Sequence, residues 1–381
     1  MNVIVKNTMI VLLLICQVKA FTQETVTTDS VPAKPTSKFN SFNKKAEAFF
    51  KKYPVPIFSY STEAGTTLGL AKFNVFNLSK TDTISKPSKL SEVATVSTKG
   101  RINVSVSTEL VFNENKFVNL SYINFKQQPE FIFGIGNDVK REDMEEVQYS
   151  RIKFNSANLF LAAKNLYIGV PLDVSYYFDM KVDSSSFLIK DNIPGTDGGF
   201  TLGLGLAAAY DTRDNRYNSY KGAYILSTIL WHPTFLGSAY QFYKFEFDAR
   251  KFFNPWLNHV IAIQAATSYE NGDVPFYELA LMGGDSRMRG YYLGAYRDNV
   301  LVDGQIEYRA PIWSVFGLTS WVGMGRVASS YNDLSLDGFK VSYGFGLRVK
   351  MDSKHNTNLR LDFGFGQDGV NGTYISFAEA F

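Results

Sequence analysis

The side chains that could carry out catalysis are few in this 381-residue sequence. Its three histidines, His232, His259 and His355, fall at predicted strand ends or in a turn, without an inward-facing serine at a spacing for nucleophilic catalysis. No His, Asp and Glu cluster has the spacing of metal ligands. The pair Gly283-Gly284 lacks the following Lys and Ser or Thr of a phosphate-binding loop. The sequence therefore predicts a protein that is not an enzyme and that binds neither a metal nor a cofactor.

Charge and composition exclude further classes of function. The chain has 39 Lys and Arg against 36 Asp and Glu, so it lacks the basic excess of a nucleic-acid-binding protein. Its single cysteine, Cys16, lies close to the N-terminus, which excludes disulfides and cysteine metal sites from the rest of the chain. With 45% hydrophobic and 15% aromatic residues, the sequence has enough apolar surface to fold.

Residues 1–20 have the pattern of a secretory signal peptide. Lys6 precedes the apolar run 9–16, and the small residue Ala20 closes the segment. This run is too short to cross a bilayer as a helix, and no later stretch approaches about 18 consecutive apolar residues. The chain is therefore predicted to be exported without a transmembrane helix. Residues 21–54 are predicted to form a periplasmic linker or a short helix, the alternative being a plug at a barrel mouth.

Residues 55–381 alternate apolar and polar side chains with a period of two, which is typical of β-strands. One strand alone leaves open whether the apolar face points into a soluble core or out toward lipid. The number of such segments, the signal peptide and the glycine-rich opposing faces favour an outer-membrane barrel with apolar faces outward. In 358–365, for example, one face carries Leu359, Leu361, Phe363 and Phe365, and the other carries Asn358, Arg360, Asp362 and Gly364.

Sixteen segments with this pattern predict an all-β fold, a sixteen-stranded antiparallel transmembrane β-barrel over 55–381. An even strand number places both termini on one side, which is predicted to be periplasmic, and the long connections 127–144, 181–199 and 271–298 on the outer side. The turn 79–88 lies on the side of the termini, and the sequence does not explain why it is long. The predicted strands are 55–61, 66–78, 89–99, 101–113, 116–126, 145–164, 166–180, 200–211, 221–232, 239–253, 258–270, 299–313, 316–329, 339–351, 356–367 and 372–381.

Four stretches resemble the BamA/TamA family of outer-membrane assembly barrels, also called bacterial surface antigen barrels. The first, 283–292, reads GGDSRMRGYY and resembles the family's Arg-Gly-aromatic motif on a long extracellular loop. The resemblance implies that this loop folds back into the barrel lumen. Arg289, Gly290 and Tyr291 would then form the motif, with the glycine allowing a tight loop tip.

The second stretch, 303–309, reads DGQIEYR and resembles the strand that follows this loop in the family. The resemblance implies that Glu307 accepts a bidentate hydrogen bond from the motif arginine. The family has a second carboxylate on the next strand, where this sequence has Gly323-Met324-Gly325. Either Asp303 or Asp362 replaces that carboxylate, or the loop is held less tightly.

The third and fourth stretches resemble structural features of the same family. A charged segment around 210–222 is similar to the family's periplasmic turn between mid-barrel strands, and its matching residues are Asp211, Arg213 and Asp214. Without the resemblance, the same segment is predicted to be simply a well-capped turn. The aromatic residues Tyr374, Phe377 and Phe381 resemble the C-terminal signal that the assembly machinery reads when it inserts a barrel.

The resemblance implies a role in outer-membrane biogenesis, by insertion or translocation of protein or lipid through a weak seam between the first and last strands. Pro54 and Pro56 support a weak seam, because proline cannot donate a ladder hydrogen bond. The alternative function is a passive or gated pore for small solutes or an exported substrate. The implied partners are outer-membrane lipid and the machinery that inserts the barrel. POTRA domains are expected to be absent, so that client handling is either missing or supplied by a separate periplasmic protein.

Overall fold

A computed structural model describes residues 48–49, 52–61 and 65–381 of the chain. The predicted signal peptide lies outside the described residues, as does most of the predicted linker, of which Ala48, Phe49 and Lys52 are helical. Among the described residues, no helix is long and apolar enough to cross a lipid bilayer.

Sixteen antiparallel strands form one sheet that curves into a nearly closed barrel, as predicted, and each pairs with the next along the sheet. Two further strands, β12 and β13, form a separate hairpin that the sequence did not predict. The strands are β1 (Val55–Ser61), β2 (Gly65–Phe76), β3 (Ser88–Ser97), β4 (Ile102–Phe112), β5 (Phe117–Ile132), β6 (Glu145–Ala163), β7 (Leu166–Lys181), β8 (Gly199–Asp211), β9 (Gly222–His232), β10 (Phe242–Phe253), β11 (Val260–Gly272), β12 (Ala280–Met282), β13 (Tyr296–Asp298), β14 (Val300–Trp313), β15 (Phe316–Ala328), β16 (Lys340–Asp352), β17 (Thr357–Phe365) and β18 (Asn371–Phe377).

In β14 and β17 the polar faces point into the barrel and the apolar faces point outward. In β14, Glu307 is 0% exposed whereas its neighbour Ile306 is 50% exposed. In β17, Arg360 and Asp362 are buried between the partly exposed leucines. Lipid solvates the apolar face, and the charged side chains pair with each other inside, so the alternation runs opposite to that of a soluble β-sandwich.

Strand β1 begins and β18 ends at the same end of the barrel, which we call the terminal end. The three longest connections between wall strands, 133–144, 182–198 and 273–299, lie at the other end, the loop end. Strand β5 continues to Ile132, beyond its predicted end at residue 126, because its pairing with β6 extends to the base of the connection.

The last strand is shorter than predicted, which corrects the boundary 372–381. Strand β18 ends at Phe377, and Ala378 has a φ of +69° that turns the chain away from the sheet. Glu379 is drawn inside because it pairs with buried arginines. Phe381 is 6% exposed and its ring centroid lies 6.4 Å from that of Phe252.

A seam separates the two ends of the sheet. Strands β1 and β18 lie beside each other, but no hydrogen-bonded ladder joins them in the described part of the chain. At the terminal end, Phe73 of β2 stacks on Phe377 of β18 with ring centroids 4.6 Å apart. The barrel wall therefore has one edge on each side of the seam.

The turn between β2 and β3, residues 77–87, is long because it reaches across the terminal end. Lys86 donates from Nζ to the carbonyl oxygen of Arg213 at 2.6 Å, and Tyr217 donates its hydroxyl proton to the turn's last carbonyl at 2.7 Å. Both partners belong to the turn between β8 and β9, residues 212–221. The sequence contained no local signal for this contact between turns.

Candidate functional site: a loop anchored inside the barrel

The connection between β11 and β14, residues 273–299, folds into the lumen, and we call it the inward loop. It contains the hairpin β12–β13 and a small apolar core of its own. Met282, Met288 and Tyr291 of the loop are buried against Leu301 of β14 and Val327 of β15. This packing holds the loop tip against the inner wall and brings Arg289 to the charged residues there.

Arg289 is 0% exposed and contacts two carboxylates on different strands. Its Nη2 lies 2.6 Å from Oε2 of Glu307 on β14, and its Nη1 lies 2.8 Å from Oδ2 of Asp362 on β17. The expected contact with Glu307 is present, but it is not bidentate, because the guanidinium is shared between two acids. The guanidinium carbon also lies 3.7 Å from the ring centroid of Trp321, a cation–π contact.

Gly290 and Tyr291 dock the loop tip through backbone contacts. Gly290 has a φ of +113°, and a Cβ there would lie 2.7 Å from backbone atoms of Phe365, so the close approach needs glycine. Its N–H donates to the Tyr374 hydroxyl at 2.9 Å. The Tyr291 hydroxyl donates to a carbonyl of β16 and accepts from the N–H of Gln367, both at 2.9 Å.

The two candidates for the carboxylate missing from the family pattern have different partners. Asp362 takes the place of the missing acid, since it contacts Arg289 from β17. Asp303 instead lies 3.4 Å from Arg287, so it serves a second arginine of the same loop.

A buried charge network connects the loop to the wall and to the last residues of the chain. Asp362 also accepts from Arg348 at 2.5 Å and from Arg360 at 2.9 Å. Arg348 bridges onward to Glu379 at 2.7 Å. Four buried arginines thus surround three buried acids: Arg289, Arg309, Arg348 and Arg360 with Glu307, Asp362 and Glu379. Each buried charge has a partner, which burial of an ion requires.

Two further anchors of the inward loop were missed by the sequence analysis. Glu278 accepts a hydrogen bond from Lys153 of β6 at 3.0 Å, and Arg297 donates to Glu130 of β5 at 2.9 Å. Burial acts to raise the pKa of Glu278, but Lys153 and Lys244 outweigh it and hold that pKa well below the usual range. Inward-facing charges on predicted strands were the available signal, but no local pattern connects them to the loop.

The predicted turn motif forms an anchored turn at the terminal end. Arg213 donates two hydrogen bonds to Asp211, at 3.0 and 3.1 Å, and Asp214 accepts from backbone N–H groups within the turn. Arg216, which the prediction omitted, pairs with Glu109 of β4 at 2.6 Å. A cavity of about 250 Å³ remains between this turn, the inner wall and the last residues of the chain.

The three aromatic residues of the predicted C-terminal signal do not form one outward row. Tyr374 faces the lumen and bonds to the inward loop, Phe377 lies at the seam, and Phe381 is buried at the terminal end. Phe381 lies outside the row because the chain leaves the sheet after Phe377 and alternation no longer applies.

The histidines are separated. His355 bonds to Asp352, His259 bonds to Tyr308, and the ring of His232 is stacked within the barrel wall. Within the described ranges, no three His, Cys, Asp or Glu side chains are grouped as metal ligands would be.

The sixteen-stranded wall with lipid-facing apolar side chains and a loop folded into its lumen defines a bacterial outer-membrane β-barrel. The Omp85 superfamily domain matches residues 100–378, and the chain belongs to that superfamily. The predicted resemblance to BamA/TamA-type barrels is thereby confirmed.

Solved structures show the same fold. BamA from Haemophilus ducreyi lacking POTRA domains 1–3 is 13% identical with a TM-score of 0.54, covering 88% of this chain and 77% of that chain. CdiB from Escherichia coli is 10% identical with a TM-score of 0.54, covering 86% of this chain and 62% of that chain. This chain thus spans less than two thirds of the CdiB chain. No match was found among curated proteins.

Proposed function

We propose that this protein acts in outer-membrane biogenesis by inserting or translocating protein or lipid through an opening between β1 and β18. The observation that carries the proposal is the seam without a ladder in a barrel of the Omp85 superfamily. The proposed role is non-enzymatic. The terminal end would face the periplasm, where clients or a separate partner protein would arrive.

Unpaired strand edges in a membrane favour such a role. Backbone N–H and C=O groups that face hydrocarbon without a partner cost several kcal/mol each. An incoming β-strand can satisfy them by adding to the edge, as in β-strand addition to exposed sheets. Pro56 removes one donor from β1, which weakens direct closure against β18.

The inward loop would confine this opening to the seam. The charge network connects the loop to β14, β16 and β17, so the wall on the β18 side is braced from inside. Loop contacts through Glu278 and Arg297 reach β6 and β5 on the other side. The junction between β1 and β18 has no such brace, so opening the wall there would require the least free energy.

A reversible cross-link across the seam tests the proposal. Cysteines would be placed at Phe58 in β1 and, in separate variants, at Thr373 or Ile375 in β18, all on the outward face of the wall. We expect the oxidised protein in liposomes to lose its ability to accelerate folding of a denatured outer-membrane barrel, and the reduced protein to regain it. Because Cys16 is the chain's one natural cysteine, background cross-linking is easily measured in the unsubstituted protein.

The matched control is a cysteine pair between β9 and β10, at Ile229 and Phe245, which face each other in a regular ladder. That disulfide should leave activity unchanged. Full activity of the seam-locked protein would contradict lateral opening.

A further inference from the structure

A band of polar side chains crosses the outer surface of the barrel between β2 and β6. Alternation places these side chains outward, because their neighbours Glu109, Val118 and Leu159 line the lumen cavity. The band lies on the face that lipid would contact. Its members are Lys72, Asn74, Glu92, Thr108, Asn119, Ser121, Ser156 and Asn158.

Four of these side chains form a hydrogen-bonded group on β5 and β6, which we call the amide–hydroxyl cluster: Asn119, Ser121, Ser156 and Asn158. The Nδ2 of Asn119 donates to Oδ1 of Asn158 at 2.9 Å and to Oγ of Ser156 at 3.2 Å. The Ser121 hydroxyl donates to Oδ1 of Asn119 at 2.8 Å. The cluster is therefore an ordered feature of the outer wall.

The cluster does not lie at the water-exposed edge of the barrel. On its terminal side, the rings of Phe112, Phe117 and Phe160 form a row with centroids 5.5 and 4.8 Å apart. On its loop side, the outward positions are apolar, with Ile123 of β5 paired to Phe154 of β6. An aromatic row marks the membrane interface in such barrels, so the cluster falls within the apolar zone.

The other side of the band carries charge. Lys72 of β2 and Glu92 of β3 are paired in register on the outer face and interact electrostatically. Thr108 of β4 lies between this charged pair and the cluster. Within the described residues, neither the side chain of Thr108 nor that of Asn74 makes a hydrogen bond. Charged and incompletely bonded groups are disfavoured against acyl chains.

We propose that this band is the interface at which a second copy of this chain docks within the membrane. All copies enter the membrane in one orientation, so a two-fold axis relating two of them runs along the membrane normal. An axis through β4 places β2 and β3 of one copy against β6 and β5 of the other.

The band is self-complementary under that operation. Lys72 and Glu92 meet the neutral amide–hydroxyl cluster of the second copy, which can both donate to the carboxylate and accept from the ammonium group. No like charges are brought face to face, because both charges lie on the same side of β4. The flanking rows of apolar side chains would pack around this polar centre. The inference does not depend on lateral opening, since the band contains no residue of β1 or β18.

A cysteine at Thr108 tests the interface in the full-length protein in native membranes, because the proposed axis passes through its strand, β4. Oxidation should produce a covalent dimer of the Thr108→Cys protein, seen as twice the chain mass on a non-reducing gel. The matched control is Val322→Cys on β15, also outward-facing and 53% exposed, on the far side of the barrel. We expect several-fold less dimer there, and none beyond background in the unsubstituted protein.

A second variant removes the polar chemistry while keeping an apolar, lipid-compatible surface. Asn119→Leu combined with Ser121→Val should still fold, judged by heat-dependent gel mobility, but should shift the native mass in nanodiscs from dimer to monomer. Equal cross-linking at residues 108 and 322, a cross-link only to a protein of another mass, or an unshifted native mass would each overturn the proposal.

Discussion

Arg289 is the side chain on which the position of the inward loop most directly depends. It is fully buried and holds Glu307 and Asp362 together from the lumen side. Lysine would not replace it, because a single ammonium group cannot match the guanidinium geometry that reaches both acids. Without Arg289, Glu307 would still pair with Arg309 and Asp362 with Arg360, but neither of these arginines belongs to the loop.

We predict that Arg289→Ala lowers barrel stability by about 3 kcal/mol, the lower part of the range for breaking a buried ion pair. It should also expose the inward loop to protease, and Arg289→Lys should be intermediate. The temperature of the gel-mobility shift and limited proteolysis measure the two effects. Lys140→Ala, which removes an exposed cation of the connection 133–144, is the control and should change little. Equal heat resistance and unchanged loop cleavage in Arg289→Ala would refute the loop lock.

At the scale of elements, the turns of the terminal end form a hydrogen-bonded layer. In turn 77–87, Asp82 accepts from the N–H of Ser85 at 2.9 Å and from the N–H of Glu114, in the neighbouring turn, at 3.0 Å. The hydroxyl and N–H of Ser85 lower the pKa of Asp82 below its ordinary value. The ionised carboxylate therefore contributes order at and above the ordinary carboxyl pKa, and this contribution disappears as the pH falls through the lowered pKa.

We predict that turn 77–87 stays resistant to protease as the pH falls to about 4, the ordinary carboxyl pKa, and loses that resistance only in stronger acid. Pepsin digestion across this range measures the resistance. Asp82→Ala should be cleaved in this turn at every pH tested, whereas Asp183→Ala, an exposed carboxylate at the loop end, should leave the turn unchanged. Loss of resistance near the ordinary pKa in the unsubstituted protein would show that the carboxylate does not order the turn.

At the scale of the whole molecule, the lumen contains charges of both signs and the inward loop. The loop is held near its ends by Glu278 and Arg297 and at its tip by Arg289, so the obstruction of the lumen by the tip depends on Arg289. A passive pore requires a continuous water path, and this arrangement closes part of that path unless the loop moves.

We predict that the purified protein in planar bilayers gives no current or brief openings, and that Arg289→Ala gives sustained current. Single-channel recording measures both, with Lys140→Ala as the control that leaves the contacts of Arg289 unchanged. A large, steady open state in the unsubstituted protein would instead favour the passive-pore function and count against the assembly role.

Strand positions and the directions of their side chains followed from the sequence because alternation is local. The inner and outer faces of β14 and β17 were correct, including the inward positions of Glu307 and Asp362. The end of β18 was wrong because contacts of Glu379 with distant arginines override the local pattern. The hairpin β12–β13 was missed because its two strands of three residues are too short for a periodic signal.

The sequence by itself determined a sixteen-stranded, lipid-facing wall, and its motifs indicated which arginine is most suited to hold a loop. Only the tertiary structure decided which acids that arginine meets, how the loop is anchored elsewhere and where the wall remains unpaired. Arg289 and Asp362 are 73 residues apart, and Arg297 and Glu130 are 167 apart. Alternation assigns each residue a face, but barrel curvature decides which inward side chains meet.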